Sequence, residues 1–276
     1  MTRYGMVINV DRCVGCYNCF LTCRDEHAGN DYPGYAAPQP MSGGNWTKLL
    51  ELERGQYPHV KVNYVKVMCK HCDSPNCAKA ASNGAVHKRA DGIVIIDPVK
   101  AKGQKQIVDA CPYRCIEWNE EAQLPQKCTM CAHLLDKGEP EPRCVESCPS
   151  GALVFGDLDD PDSAVSKLVA SGKTEAMHPE YKLKDKVTYI KLPKKFVAGT
   201  VILGDVDEVA VGADVKLTAD GKTWTVKTNG FGDFEVEGLP ANTIFTVDVA
   251  AAGYKAASCE AKTSKDVYLG EIVLAK

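Results

Sequence analysis

Thirteen of the chain's 14 cysteines lie between Cys13 and Cys148, most of them at short, fixed spacings. The first run, CVGCYNCFLTC, sets Cys13, Cys16, Cys19 and Cys23 in a C-x2-C-x2-C-x3-C pattern. Successive x2 steps wrap three thiolates and the intervening amides around one small cage. That suits a 4Fe-4S cubane better than a tetrahedral zinc site, which draws on C-x2-C pairs. Gly15 allows the tight backbone turn inside the run. A disulfide framework belongs to short secreted chains, and the start MTRYGMVINVDRC has neither an apolar signal stretch nor a twin arginine.

A partner run follows at CTMCAHLLDKGEPEPRCVESCPSGAL, with Cys128, Cys131, Cys144 and Cys148, interrupted by the charged loop DKGEPEP. In two-cluster proteins of this kind, the last cysteine of each run ligates the other cluster. The rule yields one set of Cys13, Cys16, Cys19 and Cys148 and a second of Cys23, Cys128, Cys131 and Cys144, with no cysteine of either run left over.

The middle of the region departs from this pattern. CKHCDSPNC supplies Cys69, Cys72 and Cys77, but Ala81 stands at the fourth place. Downstream, AKGQKQIVDACPY keeps the frame of another run while Ala101, Gln104 and Ile107 fill its first three places and only Cys111 survives. Under the crossover rule the four missing ligands all belong to one cluster, and Cys69, Cys72, Cys77 and Cys111 complete the other. Four random losses among sixteen places would fall on a single cluster about once in 450 draws. Three 4Fe-4S clusters are therefore expected, with a fourth removed whole.

The order of the runs, together with DACPYRCIEWNEEAQLPQKCTMC and CVESCPSGAL, resembles the four-motif iron-sulfur subunits of the dimethyl sulfoxide reductase family of molybdenum or tungsten enzymes. The likeness covers residues 1 to about 190. It implies a relay subunit beside a large catalytic partner in a heterodimer, with molybdenum bis(pterin guanine dinucleotide) on that partner. In membrane-bound members of the family, the cluster built mainly on the third run lies nearest the membrane-anchor subunit. Its counterparts here are Ala101, Gln104, Ile107 and Ala81, so a cytoplasmic complex without a membrane anchor is expected. The missing cluster and an appended C-terminal domain set the chain apart within the family. A respiratory reductase relay for a sulfur compound or oxyanion is the runner-up. A purely structural metal module is the competing class.

The last part of the chain reads differently. FVAGTVIL, ADVKLTA, KTWTVKT, FGDFEVEG, TIFTVDVAA and DVYLGEIVLA are short β-branched or aromatic runs punctuated by ADGK, TNGFG and GLPANT, the pattern of an antiparallel sandwich. TNGFGDFEVEGLPANTIFTVDVAAAGY also resembles Cna-B-like or transthyretin-like modules. The expected fold is α+β: a duplicated bacterial-ferredoxin-like domain over residues 1–195, including a connector with an amphipathic helix near DSAVSKLVASGK, then an all-β Ig-like/Cna-B-like sandwich over 196–276. A docking role is expected for the sandwich.

A net charge of -3 gives no global basic field for nucleic acid, and no apolar run is long enough to span a bilayer. No Ser-His-Asp arrangement, phosphate loop or dinucleotide fingerprint is present, so no catalytic residue is assigned and chemistry on an organic substrate belongs to the partner. Cys115 and Cys259 read as packed free thiols. His71 and His133 read as residues behind the ligands or at the surface, and Trp46, Trp118 and Tyr113 as core or interface aromatics.

Overall fold

The computed structural model describes residues 2–276, which divide into two units. The first comprises the residues up to Glu51 and Asn63–Leu192; the second comprises Leu52–Val62 and Pro193–Lys276. Residues 52–62, expected in the first domain, thus group with the C-terminal part of the chain.

The first unit is α+β-like, with few and short helices. A three-stranded sheet is centred on Tyr4–Asn9, antiparallel to Leu153–Asp157 and parallel to Val187–Ile190. The buried face of Tyr4–Asn9 closes against the helix Ala164–Ala170 through Val7, Val165 and Ile190. That helix starts at Ser163, whose hydroxyl accepts the Ser166 N–H at 3.1 Å, a side-chain cap for an otherwise unpaired donor. The connector therefore supplies a strand to the sheet as well as the expected helix. The rest of the unit is loops and short helices, with the inner part of the hairpin Thr47–Gln56/His59–Met68 and the ribbons Val86–Lys88/Val94–Ile96 and Glu117–Asn119/Leu124–Gln126.

The cysteine runs lie on these loops and at the starts of helices. The helix Asn18–His27 springs from Tyr17, held at φ 62°, so the first run turns directly into it. Thr22 and Ser147 meet through their hydroxyls at 3.0 Å, and Asn18 Nδ2 donates to the Ser147 carbonyl at 3.4 Å. These contacts tie the helix that carries Cys19 and Cys23 to the loop before Cys148.

In the second unit, two four-stranded sheets enclose an apolar core. Lys195–Leu203 pairs antiparallel with Asp233–Leu239 and Glu208–Val209 on one edge, and parallel with Val267–Leu274 on the other. The second sheet runs in the order Lys222–Lys227, Asp214–Ala219, Ile244–Ala250, Ala257–Lys262, all antiparallel. Alternation sends Val215, Leu217, Phe245, Val247 and Val249 inward. The expectation of a wholly antiparallel domain is corrected by Val267–Leu274. This last strand lies beside the unit's strand Lys195–Leu203 and runs in the same direction, an arrangement that a long crossover permits and a hairpin does not.

The outer part of the hairpin formed by Thr47–Gln56 and His59–Met68 completes the second unit. Arg54 reaches Glu237 at 3.0 Å and Asp266 at 3.5 Å, and His59 Nε2 lies 2.6 Å from Glu235. No helix among the described residues is long and apolar enough to cross a membrane.

Candidate metal centres

All 14 cysteines are free thiols. Thirteen of them lie in the first unit, and the twelve candidate ligands among these interact electrostatically in particular groups. Cys13 feels Cys148 and Cys16, and Cys19 feels Cys13 and Cys148. Cys128 feels Cys23 and Cys144, and Cys131 feels Cys144, Cys128 and Cys23. Cys72 feels Cys69, Cys77 and Cys111. The groups adjoin in a line: Cys19 of the first feels Cys144 of the second, and Cys128 of the second feels Cys69 of the third.

The donor chemistry fits iron-sulfur ligation. Cys69, Cys72, Cys77 and Cys111 all line one small cleft, walled by Val94, Ile116 and Leu183. A recurring local device faces the sulfurs, in which the N–H two residues on points back at the thiol. His71 N donates to Cys69 Sγ at 3.4 Å and Met130 N to Cys128 Sγ at 3.3 Å. Gly15, Tyr113 and Ser150 do the same for Cys13, Cys111 and Cys148. Such bonds stabilise thiolate and tune a bound cluster. At Gly15 the device demands glycine: φ is +68° and a Cβ would fall 2.5 Å from the Tyr64 ring.

Burial opposes thiolate where no metal compensates. It pushes the thiols of Cys23 and Cys77 up to about 11, and with Cys69 and Asp185 it drives Cys72 higher still. A coordinated metal reverses this balance by displacing the proton. Cys148 is the contrast: despite burial, the Ser150 hydroxyl and backbone N–H groups hold it below the ordinary thiol value. Among the described residues, no three His, Cys, Asp or Glu side chains converge tightly enough to hold a single metal ion.

The place of the absent fourth set is filled. Ala101 and Ile107 are fully buried in one core with Ala85, Val86, Val94, Ile96 and Ile116, and Ala81 packs against it. Gln104 closes the edge: its Oε1 accepts the Ser82 N–H at 2.7 Å, while Nε2 donates to the carbonyls of Lys100 at 2.8 Å and Ser82 at 3.3 Å.

Several side chains near the thiols have no motif to announce them. Lys66, Lys70 and Lys127 are all buried, Lys66 and Lys70 almost completely. Burial disfavours the Lys66 ammonium, but Cys144 and Cys19 outweigh it and hold its pKa above the ordinary lysine value. His27 is buried, with Nε2 3.9 Å from Cys131 Sγ; burial, then His133, lowers its pKa to about 4. Asp185 accepts from the Tyr113 hydroxyl at 2.8 Å and lies 3.7 Å from Cys72 Sγ.

The residues singled out in the sequence have definite places. His71 is buried rather than at the surface, its Nδ1 accepting the Val94 N–H at 3.1 Å. His133 is also buried, 2.9 Å from Glu26 Oε1 and stacked on Tyr32. Trp46 is buried against His27, and Trp118 lies under Lys105. Cys115 is buried, 3.2 Å from the Met68 carbonyl, and keeps its proton. Its hydrogen bond holds the Cys111 thiol down at about 7 against the effect of burial. Cys259 lies in the second unit, on the strand Ala257–Lys262.

A model of the 4Fe-4S dicluster domain matches residues 60–158. The chain is 42% identical to the pyrogallol hydroxytransferase small subunit of Pelobacter acidigallici, over 99% of this chain and 100% of that protein. It is 31% identical to the arsenate respiratory reductase iron-sulfur subunit ArrB of Shewanella sp. (strain ANA-3), over 68% of this chain and 96% of that one. The chain belongs to the iron-sulfur subunits of the dimethyl sulfoxide reductase family of molybdenum enzymes. A tetrathionate reductase subunit of Salmonella typhimurium is a further relative, 33% identical over 71% of this chain and 75% of that one. As a member of this family the chain carries 4Fe-4S clusters and is a non-catalytic electron-transfer subunit that works with a catalytic partner.

Proposed function

We propose that this chain binds three 4Fe-4S clusters and serves as the small subunit of a pyrogallol-phloroglucinol transhydroxylase. The first cluster takes Cys13, Cys16, Cys19 and Cys148; the second, Cys23, Cys128, Cys131 and Cys144; the third, Cys69, Cys72, Cys77 and Cys111. The observation that carries the count is the contrast between the cleft lined by all four thiols of the third set and the packed core at Ala81, Ala101 and Ile107. Bound there, the clusters supply one-electron storage and transfer. The chain's own groups hold the thiolates, aim N–H donors at them and exclude water from the second and third sets.

The first set is the one nearest solvent, since Cys16 is exposed while the second and third sets are largely buried. Apolar side chains surround it: Val14 is 65% and Leu21 57% exposed. We take this as the face that docks the large subunit, which would hold molybdenum with two pterin guanine dinucleotides in a heterodimer. Moving a hydroxyl between polyphenols, pyrogallol to phloroglucinol, causes no net oxidation. Electrons from this chain therefore set or restore the redox state of the partner's metal and are not consumed at each turnover. Identity along the whole chain with the Pelobacter protein supports this reading over a respiratory relay. We read the second unit as an Ig-like/Cna-B-like docking sandwich and the complex as cytoplasmic, without a membrane anchor; recovery in washed membranes, released only by detergent, would refute the latter.

The test is iron and sulfide analysis of the anaerobically purified complex. About twelve irons per chain are expected from three cubanes, and eight or sixteen would reject the count. Cys77→Ser and Cys111→Ser should perturb the same EPR signal. Effects on two different signals would break the crossover assignment. The complex should interconvert pyrogallol and phloroglucinol; turnover of an inorganic sulfur compound or arsenate instead would favour the respiratory reading.

A further inference from the structure

The strand His59–Met68 carries Lys66 into the interior of the first unit. Its side chain is 1% exposed, and the Tyr189 hydroxyl fixes the backbone there by donating to the Lys66 carbonyl at 2.8 Å. Among the described residues its Nζ has no hydrogen-bond partner of ordinary geometry. A buried ammonium without an oxygen ligand is costly unless opposite charge faces it closely.

The groups that face it are sulfurs. Lys66 acts on Cys144, Cys19 and Cys128, and also on Cys13 and Cys23. These five thiols belong to the first and second ligand sets. Lys70 and Lys127 act instead on the third set, Lys70 on Cys69 and Cys72 and Lys127 on Cys77. Both have other partners: Lys70 bonds the Tyr189 hydroxyl, and Lys127 bonds the carbonyls of Val94 and Cys128. Lys66 is the buried lysine whose ammonium faces thiols of two sets and lacks such a neutral partner.

We propose that Lys66 is a shared positioning charge, set between the first two clusters, that raises both of their reduction potentials together and leaves the third cluster largely unaffected. The proposal rests on the ligand sets given under Proposed function. Reduction adds negative charge to a cluster, and a fixed cation at short range in a low-dielectric interior favours the more negative state. Because one ammonium faces both sets, the two potentials move in the same direction, and removing it changes the step between the first two sites less than the step to the third.

The test is a redox titration of the intact complex read by EPR, after the iron content of the wild type has been established. Lys66→Met keeps the apolar stem and removes the charge. Two of three signals should then shift to lower potential by at least a tenfold change in the reduction equilibrium, 59 mV for a one-electron couple. The signal perturbed by Cys77→Ser should stay in place. Lys66→Arg keeps the charge and should hold both potentials near wild type. No shift in Lys66→Met, an equal shift of all three signals, or the same fall in Lys66→Arg would overturn the proposal. If Lys66→Met and Lys66→Gln fail to load iron while Lys66→Arg loads, the charge is required by both sites, which supports it. Failure of Lys66→Arg as well marks a packing role and overturns it. A wild type without three clusters would refute the ligand sets themselves, and the iron count shows this before any variant is made.

Discussion

Truncating Ile107 tests whether the filled place of the fourth set supports the third. Ile107 is fully buried, in a core that also contains Cys77 and against which Cys111 packs. Ile107→Ala removes three carbons from this wall. The surroundings have little means to collapse, because Ala81 and Ala101 are already small and the helix Gln106–Asp109 has only 4 residues. Buried Ile→Ala changes cost about 2–5 kcal/mol, so roughly 3 kcal/mol is a fair expectation here. If that loss falls on local opening around Cys77 and Cys111, the open state becomes on the order of 100-fold more populated. The assay is anaerobic release of iron to a chelator, followed through bleaching of the visible absorption and loss of the EPR signal that Cys77→Ser perturbs. The signal should disappear about 100-fold faster while the other two persist. Val247→Ala, buried in the core of the second unit, should leave that rate unchanged. A rate in Ile107→Ala within about threefold of the Val247→Ala control would refute the reasoning.

Gly15→Ala should cost the first cluster alone, because a Cβ there meets the Tyr64 ring at 2.5 Å in a left-handed backbone; iron analysis should show a loss of about four irons per chain. Asp136 accepts a forked pair of bonds from Arg89 at 2.8 and 2.6 Å, and this guanidinium holds its carboxyl down at about 2 from an ordinary 3.8. A depressed carboxyl pKa gives stability that is fully present above the unfolded value and is lost as pH falls from about 4 to about 2; because the pair is partly exposed, the loss should not exceed about 1 kcal/mol. Urea unfolding of Asp136→Asn should therefore differ from wild type at neutral pH and converge with it near pH 2.

The candidate ligands were legible because their signal is local: two residues between thiols is a property of the chain before it folds. Alternation was equally legible where one sheet face is wet, as at Val215 and Leu217 or Phe245, Val247 and Val249. The buried lysines were not. In VKVNYVKVM a lysine reads as the solvent face of a strand, but the strand's end lies inside the first unit, where Val65 and Lys66 are both buried. Alternation loses its meaning when both faces are covered. Arg54 and the grouping of residues 52–62 with the C-terminal part depend on partners about 140 to 210 positions away, such as Lys194 and Asp266, and no local pattern encodes a pairing at that distance. For His71 and His133 the sequence left two places open, behind the ligands or at the surface, because the same residue can occupy either environment; packing against Val94 and Tyr32 puts both in the interior.

On the proposed assignment, the packed core at Ala81, Ala101 and Ile107 accounts for why the fourth set is absent as a whole. Its ligands come from two runs, so losing only some would leave thiols buried among Val86, Ile96 and Ile116 with no metal to displace their protons. The present residues avoid that state: three are apolar and fill volume, and Gln104 spends its amide on the backbone of Ser82 and Lys100. The line of thiol sets then runs from a solvent-facing first set through the second to a buried third and stops. Electrons that enter at the first set have no further cluster to move to and return by the same route. On the proposed assignment the chain would be a reservoir rather than a through-conductor, which would suit the proposed partner, whose transfer of a hydroxyl without net oxidation needs electrons only to hold its metal in the working state.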